Sequence, residues 1–296
     1  MFSRGEFLQA GAVASAVSAA GAPAMAAPGS GKLRMRWFGG GVYELATLDD
    51  RAIVLVDAWI WNNTGWSAFG IEKPPELQSA TAFAAHLKAR NPSVILVALT
   101  HDHGDHMGDY FELLPALVAA GLPVMTTGQS DLMRVGLVPK FKAANLDPAA
   151  IVVNKGAGIN FGGVAIFERI EARLVPAIHS TSLGYPAAAF MIDLGGTRVY
   201  ASGDTDLFGD MADLGQRYHP QLGFFSVGNG PFTMNPEDAA HAVKAMGVAH
   251  AIPVHYAHNA LVLGPQAGDM FKVAVAKTSP GTAVTVMRPG ESIVVS

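Results

Sequence analysis

A cluster of imidazole and carboxylate groups directly follows an entirely apolar segment of the chain. Residues Val94 to Leu99 form an uninterrupted apolar run, which is typical of a strand buried on both faces. The next segment, His101 to His106 (HDHGDH), contains three histidines and two aspartates, and its Gly104 permits a tight fold. Core packing does not require so many lone-pair donors, whereas a divalent ion does. We therefore expect a loop at the end of a buried strand to direct these side chains toward one metal site.

Three further candidate ligands follow apolar segments elsewhere in the chain. His179 follows the segment RLVPAI, Asp204 follows a strand predicted at Arg198 to Ala201, and His255 follows HAIPV. A single histidine at a strand end is more often a hydrogen-bonded structural residue than a ligand. Because all three occupy the same kind of position, they support one another as candidate ligands.

Composition limits the chemistry of such a site. The 296-residue chain has no cysteine, which excludes disulfides and thiolate ligands, so a metal must be held by histidine and carboxylate groups. The 20 basic and 24 acidic residues give a net charge of -4, which provides no electrostatic footprint for nucleic acid or an anionic membrane. We therefore expect a small-molecule substrate and no nucleic-acid partner.

Residues 1–31 differ in composition from the rest and predict an export signal with a linker. Arg4 precedes an alanine-, glycine- and valine-rich stretch that ends in Ala24-Met25-Ala26, a small-x-small pattern typical of a cleavage site. The segment from Ser3 to Gln9 resembles a twin-arginine signal, with Gly5 in place of the second arginine. The stretch is too short and too rich in alanine for a stable membrane anchor. We predict a periplasmic protein cleaved near Ala26, or a cytoplasmic one if the signal does not function.

Residues 32–296 predict one domain in which strands and helices alternate. Besides the strands above, the pattern predicts a hairpin around Gly195-Gly196, strands at Ile151–Val153 and Val164–Ile170, and helices at Ala80–Arg90, Tyr110–Ala120 and Pro236–Met246. This order fits two sheets packed face to face with helices outside, and it equally fits a single doubly wound sheet.

The order of the candidate ligands resembles that of the metallo-β-lactamase superfamily. The resemblance lies in His-x-His-x-Asp-His at His101, the later His179, the Gly-Asp-Thr around Asp204, and the Pro-x-His-Tyr around His255. The segments RMRWFGGGVYEL and FTMNPEDAAHAVKAMGVAHAIPVHY are similar to the branch that contains ascorbate-6-phosphate lactonase-like and other metal-dependent hydrolases. Together these features span about residues 33–295, and they imply an α/β (α+β) fold, a four-layer αββα sandwich with metals at one edge between the sheets.

The resemblance also implies a ligand set for two divalent ions, with zinc expected first and manganese or iron as alternatives. One ion would be held by His101, His103 and His179, the other by Asp105, His106 and His255, and Asp204 would bridge them. Two ions about 3.5–4 Å apart need such a mixed set of ligands.

The implied activity is hydrolysis in which a metal-bridging hydroxide attacks a lactone or other ester-type bond, so the metal-held Asp105, Asp204 and His255 would be catalytic. His258 and Tyr256, close to His255 in sequence, either bind substrate or protonate a leaving group, or they belong to a polar loop with no role in the reaction. A phosphodiester or a β-lactam is an alternative substrate. A different class is a non-catalytic periplasmic metal-binding protein, which would need a saturated coordination sphere.

The sequence allows two interpretations for each of two further groups of residues near these segments. An aromatic loop either lines the substrate pocket or pins itself to the domain; it contains Trp59, Trp61, Trp66 and Phe69. Three acids either support the site or serve only as turn-capping or solvated loop residues: Asp57, Asp102 and Asp109.

Overall fold

The computed structural model describes residues 31–295, so the predicted export signal and its cleavage site near Ala26 lie outside the described residues. Thirteen strands lie within this range. In chain order they are β1 (Leu33–Gly39), β2 (Val42–Thr47), β3 (Ala52–Val56), β4 (Val94–Ala98), β5 (Val124–Thr127), β6 (Val164–Phe167), β7 (Ile170–Pro176), β8 (Ala188–Leu194), β9 (Thr197–Ala201), β10 (Leu222–Ser226), β11 (His250–Val254), β12 (Ala283–Val284) and β13 (Ser292–Val295).

Helices connect the strands in both halves of the described chain. They are α1 (Gly65–Ala68), α2 (Ala80–Ala89), α3 (Gly104–Met107), α4 (Tyr110–Ala119), α5 (Val138–Ala143), α6 (Pro148–Ile151), α7 (Met211–Tyr218), α8 (Pro236–Met246) and α9 (Ala267–Thr278), with a 3-10 turn at Pro75–Leu77 and a π-helical segment at Leu132–Leu137. Helix α8 begins where the sequence predicts, because the Asn235 side chain accepts a hydrogen bond from the Asp238 N–H and Pro236 occupies the first turn.

The strands form two mixed sheets. The first has the order β13-β1-β2-β3-β4-β5 and the second β12-β11-β10-β9-β8-β7-β6. In the first sheet β3, β4 and β5 run parallel, and in the second β9, β10 and β11 run parallel while β7 and β8 alternate in direction. Strands β7, β9 and β11 therefore point the same way, and their carboxyl ends lie at one edge of the second sheet.

The two sheets pack face to face, and helices cover their outer faces. Along β3 the side chains of Val54 and Val56 belong to the core between the sheets, whereas Ile53 and Leu55 face the core under helices α2 and α4. Tyr43 and Phe224 stack across the inner faces with ring centroids 4.0 Å apart. The four-layer αββα sandwich is confirmed, and the alternative of a single doubly wound sheet is wrong.

Two of the predicted strands are wrong in detail. The segment Val164–Ile170 is not one strand, because Glu168 adopts a φ of 40° and turns the chain between β6 and β7. Of the predicted strand Ile151–Val153, Ile151 ends α6, Val152 makes an isolated parallel bridge with Thr126, and Val153 lies in the following turn. The hairpin at Gly195-Gly196 is confirmed, with both glycines at positive φ.

In the part of the chain that the structure describes, no helix has both the length and the apolar character needed to cross a membrane.

Candidate metal centre

The polar cluster after β4 lies on a short loop and the start of a helix. His101 and His103 occupy the loop, and α3 then begins, with the N–H groups of His106 and Met107 donating to the His103 carbonyl. The turn between β1 and β2 packs directly on this segment: a Cβ at Gly41 would lie 2.6 Å from Cε1 of His106. Gly41 therefore lets the backbone approach the imidazole closely.

Three imidazoles converge at one side of the site. Nδ1 of His103 lies 3.0 Å from Nε2 of His101 and 3.3 Å from Nε2 of His179. Burial lowers the pKa of His101 and His179, and the neighbouring histidines add to this effect. These effects outweigh the Asp204 carboxylate, which raises both pKa values, and they favour the neutral ring, the form that binds a metal ion.

Asp204 lies at the centre of the cluster. Its Oδ1 is 3.3 Å from Nε2 of His106, and its Oδ2 is 3.0 Å from Nε2 of His255 and 3.7 Å from Nε2 of His179. Burial raises the pKa of Asp204, but the charges of His255 and His106 outweigh burial and hold that pKa well below its usual range. An ionised, buried carboxylate thus faces imidazoles from three different segments.

A second carboxylate belongs to another group of ligand-type atoms. Oδ2 of Asp105 lies 3.4 Å from Nε2 of His255 and 3.2 Å from Nε2 of His258. His255 and His258 are almost fully buried, and neither ring makes a hydrogen bond within the described chain. His255 has a φ of 58°, a left-handed backbone conformation that costs energy in a residue with a side chain.

Asp57 and Thr100 determine which nitrogens of two histidines are free. The fully buried Asp57 carboxylate accepts hydrogen bonds from the Thr100 N–H and hydroxyl, both at 2.8 Å, and from Nδ1 of His106 at 2.7 Å. Because the Thr100 hydroxyl donates to Asp57, it accepts from Nδ1 of His101 at 3.0 Å. With each Nδ1 held in this way, Nε2 is the nitrogen of each ring that points toward the cluster.

These contacts give Asp57 a supporting role at the site and exclude a role as a turn cap alone. The pKa of His106 is raised well above its usual value: burial lowers it, but the carboxylates of Asp204 and Asp57 outweigh burial. The space between these two acids therefore favours a positive charge.

Asp102 and Asp109 support loops around the site and do not contact the imidazoles. Asp109 is buried and accepts backbone N–H bonds from residues 60–62, which fixes the start of the aromatic loop. Asp102 accepts from the N–H groups of Ser182 and Leu183, which ties the loop after His179 to the loop after β4.

The aromatic loop is pinned to the domain, and its four rings stay out of the cavity. Trp66 is buried against Gly290, where a Cβ would lie 2.7 Å from its ring. Phe69 packs edge-on against Trp37 and Tyr256. The Tyr256 hydroxyl points to the Met287 carbonyl at 3.4 Å, so the expectation that Tyr256 contacts substrate is wrong.

An open cavity of about 470 Å³ adjoins the cluster. It exposes part of the predicted ligand set and four residues that sequence reasoning missed; the latter are Ser180, Phe232, Asn259 and Leu261. Ser180 and Asn259 lie close in sequence to His179 and His255, and this proximity is the only sequence signal for them. Phe232 and Leu261 are exposed apolar side chains on loops, which no local pattern distinguishes.

The seven predicted ligands lie together in one cluster; with His258 they form three groups, two of which share His101. The groups are His101 with His103 and His179, His101 with His106 and Asp204, and Asp105 with His255 and His258. Within each group the ligand-type atoms are within 4.8 Å of one another. The grouping differs from the expected one because His106 lies with His101 and Asp204, while His258 lies with Asp105 and His255.

Comparisons with known proteins agree with this geometry. The β-lactamase superfamily domain matches residues 54–256. A UPF0173 metal-dependent hydrolase of Thermofilum pendens is 31% identical over 88% of this chain and 98% of its own length, and one of Cupriavidus taiwanensis is 31% identical over 96% and 95%.

A solved structure has the same fold. Igni18, described as a novel metallo hydrolase from Ignicoccus hospitalis, superposes with a TM-score of 0.69 at 25% identity, over 90% of this chain and 99% of that one. The sandwich, the strand-edge cluster and these likenesses together show that the chain belongs to the metallo-β-lactamase superfamily, among its UPF0173 metal-dependent hydrolases.

Proposed function

We propose that the protein hydrolyses a lactone or similar ester bond of a small molecule, using two divalent ions held in the histidine–aspartate cluster. The donor set fits such ions. Nε2 of His106 and Nε2 of His255 are buried without a hydrogen-bond partner in the described chain, and a buried nitrogen left in this way is costly unless its lone pair binds a cation. The ligands would be His101, His103, Asp105, His106, His179, Asp204 and His255, with Asp204 between the two ions.

The donor chemistry favours zinc, with manganese or iron as alternatives, because imidazole and carboxylate ligands suit all three. When bound, such ions lower the pKa of a water molecule and polarise the bond to be broken. No protein nucleophile is then required, which is consistent with a cluster made of ligand-type side chains.

The chain's own residues would orient the substrate and limit the access of bulk water. The hydroxyl of Ser180 and the amide of Asn259 line the cavity and offer hydrogen bonds to polar groups of a substrate. Phe232 and Leu261 form an apolar part of the wall. Asp57 and Thr100 keep Nε2 of His106 and His101 directed at the cluster throughout.

The choice of a lactone over a phosphodiester rests on the charge of the cavity wall. No arginine or lysine lines the cavity among the residues that the structure describes. A phosphodiester carries a permanent negative charge, which enzymes commonly meet with a basic side chain. A neutral ester needs no such partner, so the wall favours a lactone over a phosphodiester.

The cavity also favours an enzyme over a non-catalytic metal-binding protein. A storage or sensing site would need all coordination positions filled by the protein. Here an open space of about 470 Å³ adjoins Asp105, Asp204 and His255, which leaves room for a small substrate at the ligands.

A panel of γ- and δ-lactones, bis-p-nitrophenyl phosphate and nitrocefin tests the substrate class. We expect measurable kcat/KM for at least one lactone, and values lower by a factor of about 100 or more for the other two. Turnover of the phosphodiester or of the β-lactam alone would contradict the proposal. His103→Ala and Asp204→Ala should lose both bound metal and rate, whereas His241→Ala, at an exposed position on α8, should retain both.

We further propose that the mature protein is periplasmic, after cleavage near Ala26, which is supported only by the composition of the N-terminal segment. N-terminal sequencing of the protein from its native host tests this. A chain that begins at Met1 or Phe2 would contradict cleavage.

A further inference from the structure

His258 is a buried imidazole with no role among the seven expected ligands. Its side chain is almost fully buried, and its ring centroid lies 4.4 Å from that of His255. Nε2 of His258 is 3.2 Å from Oδ2 of Asp105. Together with Asp105 and His255 it forms one of the three groups whose ligand-type atoms lie within 4.8 Å of one another.

Neither ring nitrogen of His258 is used by the protein. Nδ1 and Nε2 are both buried and make no hydrogen bond with the described residues. Nε2 lies 3.2 Å from Oδ2 of Asp105, so the one polar group of the described chain that it approaches is itself one of the expected metal ligands.

His258 is also poorly placed to act on substrate. Asp105, His255 and Asn259 line the open cavity, but His258 does not. Its ring lies behind these residues, with Trp59 edge-on at a centroid distance of 6.0 Å. A proton donor must reach the leaving group, whereas a ligand need only reach the ion.

The backbone around His258 is held in an unusual conformation that directs the ring into the cluster. Ala257 has a φ of 58°, and its N–H donates to the Leu263 carbonyl at 2.8 Å. The hydroxyl of Thr64 donates to the His258 carbonyl. The hydrogen bonds of Ala257 and His258 hold this segment in place and fix the position of the His258 ring beside Asp105 and His255.

We propose that His258 is a direct metal ligand, which with Asp105 and His255 holds one of the two ions. This inference rests on the proposed function, because it assumes that the cluster binds metal. It adds an eighth donor to the ligand set and gives one ion a second imidazole, besides that of His255, from the loop after β11.

A His258→Gln variant tests the loss of this ligand. His250→Gln is the matched control, because His250 begins β11, at the end remote from the loop that carries His258, and its Nε2 is hydrogen-bonded to Thr285. Cobalt(II) titration of the metal-free proteins, with elemental analysis, measures the affinity of each equivalent. We expect two equivalents in the parent and control, and a dissociation constant for one equivalent that is at least about tenfold higher in His258→Gln. Circular dichroism of the metal-free variants checks folding.

A His258→Cys variant gives a positive signal that a merely structural role would not produce. The parent chain has no cysteine, so a thiolate-to-cobalt charge-transfer band in the near ultraviolet would report a ligand at position 258 alone. The proposal is overturned if His258→Gln binds both equivalents with parent affinity, or if His258→Cys develops no such band. If either result is obtained but the parent protein binds cobalt and hydrolyses lactones, the proposed function stands and only the role of His258 as a ligand is refuted.

Discussion

Replacing Asp57 by asparagine tests whether the Asp57 carboxylate determines which ring nitrogen of His106 is available to bind a metal ion. The carboxylate accepts three hydrogen bonds, from the N–H and hydroxyl of Thr100 and from Nδ1 of His106. If the amide nitrogen of the introduced asparagine faces His106, Nδ1 must accept and the ring proton moves to Nε2, the atom that faces Asp204. If the amide nitrogen faces the Thr100 N–H instead, two buried donors oppose each other. Either orientation costs about 1–3 kcal/mol.

The expected effect is on metal affinity more than on fold. Loss of a carboxylate that orients a ligating histidine lowers metal affinity by about 10- to 100-fold, which corresponds to about 1.4–2.7 kcal/mol. Competition with a chromophoric chelator measures the zinc affinity of the metal-free protein. Asp193→Asn is the control, because that acid caps the β8–β9 turn by accepting from the Gly196 N–H. An Asp57→Asn protein that folds and binds zinc as tightly as the control would refute this reasoning.

Three further perturbations test the packing, the charges and the cavity wall. Phe224→Ala should lower the free energy of unfolding by about 3–5 kcal/mol in urea denaturation, because it removes the ring that stacks on Tyr43; a loss below about 1 kcal/mol would contradict a packed interface. Burial raises the pKa of Asp50, but the charge and hydrogen bond of Arg90 outweigh burial and lower that pKa. The parent should therefore be more stable than Asp50→Asn above about pH 4, and this difference should vanish as the pH falls below the folded-state pKa of Asp50. A difference that grows toward low pH would have the wrong sign. Phe232→Ala with Leu261→Ala should lower kcat/KM roughly tenfold for lactones with an alkyl substituent and little for unsubstituted ones; equal losses for both would exclude a role in specificity.

The sequence predicts the ligand cluster well because its signals are local. His101 to His106 directly follow a run of apolar residues, and His255 follows another, so the position of each at a strand end can be inferred without the fold. The convergence of the segments depends on β7, β9 and β11 pointing the same way. The alternation of strands and helices along the chain does not predict this arrangement, because it fits a single sheet as well as two.

Other features cannot be predicted from the sequence, because they depend on tertiary contacts. Glu168 turns the chain between β6 and β7 without glycine or proline, so the sequence predicts one strand where a hairpin forms. The aromatic loop allows two interpretations until the contacts of Trp66 and Phe69 with the domain are known. The cavity wall brings Phe232 and Leu261 together from separate loops, and the burial of His258 beside Asp105 has no local signature.

The metal content and turnover of a single preparation provide the most direct test of the proposed dinuclear hydrolase. Protein purified without added metal is analysed for its elements, stripped with a chelator, and assayed on the active lactone before and after zinc or manganese is returned. We expect two divalent ions per chain at full activity, loss of hydrolysis on stripping, and recovery on readdition. Undiminished hydrolysis by the completely metal-free protein would contradict the proposed function.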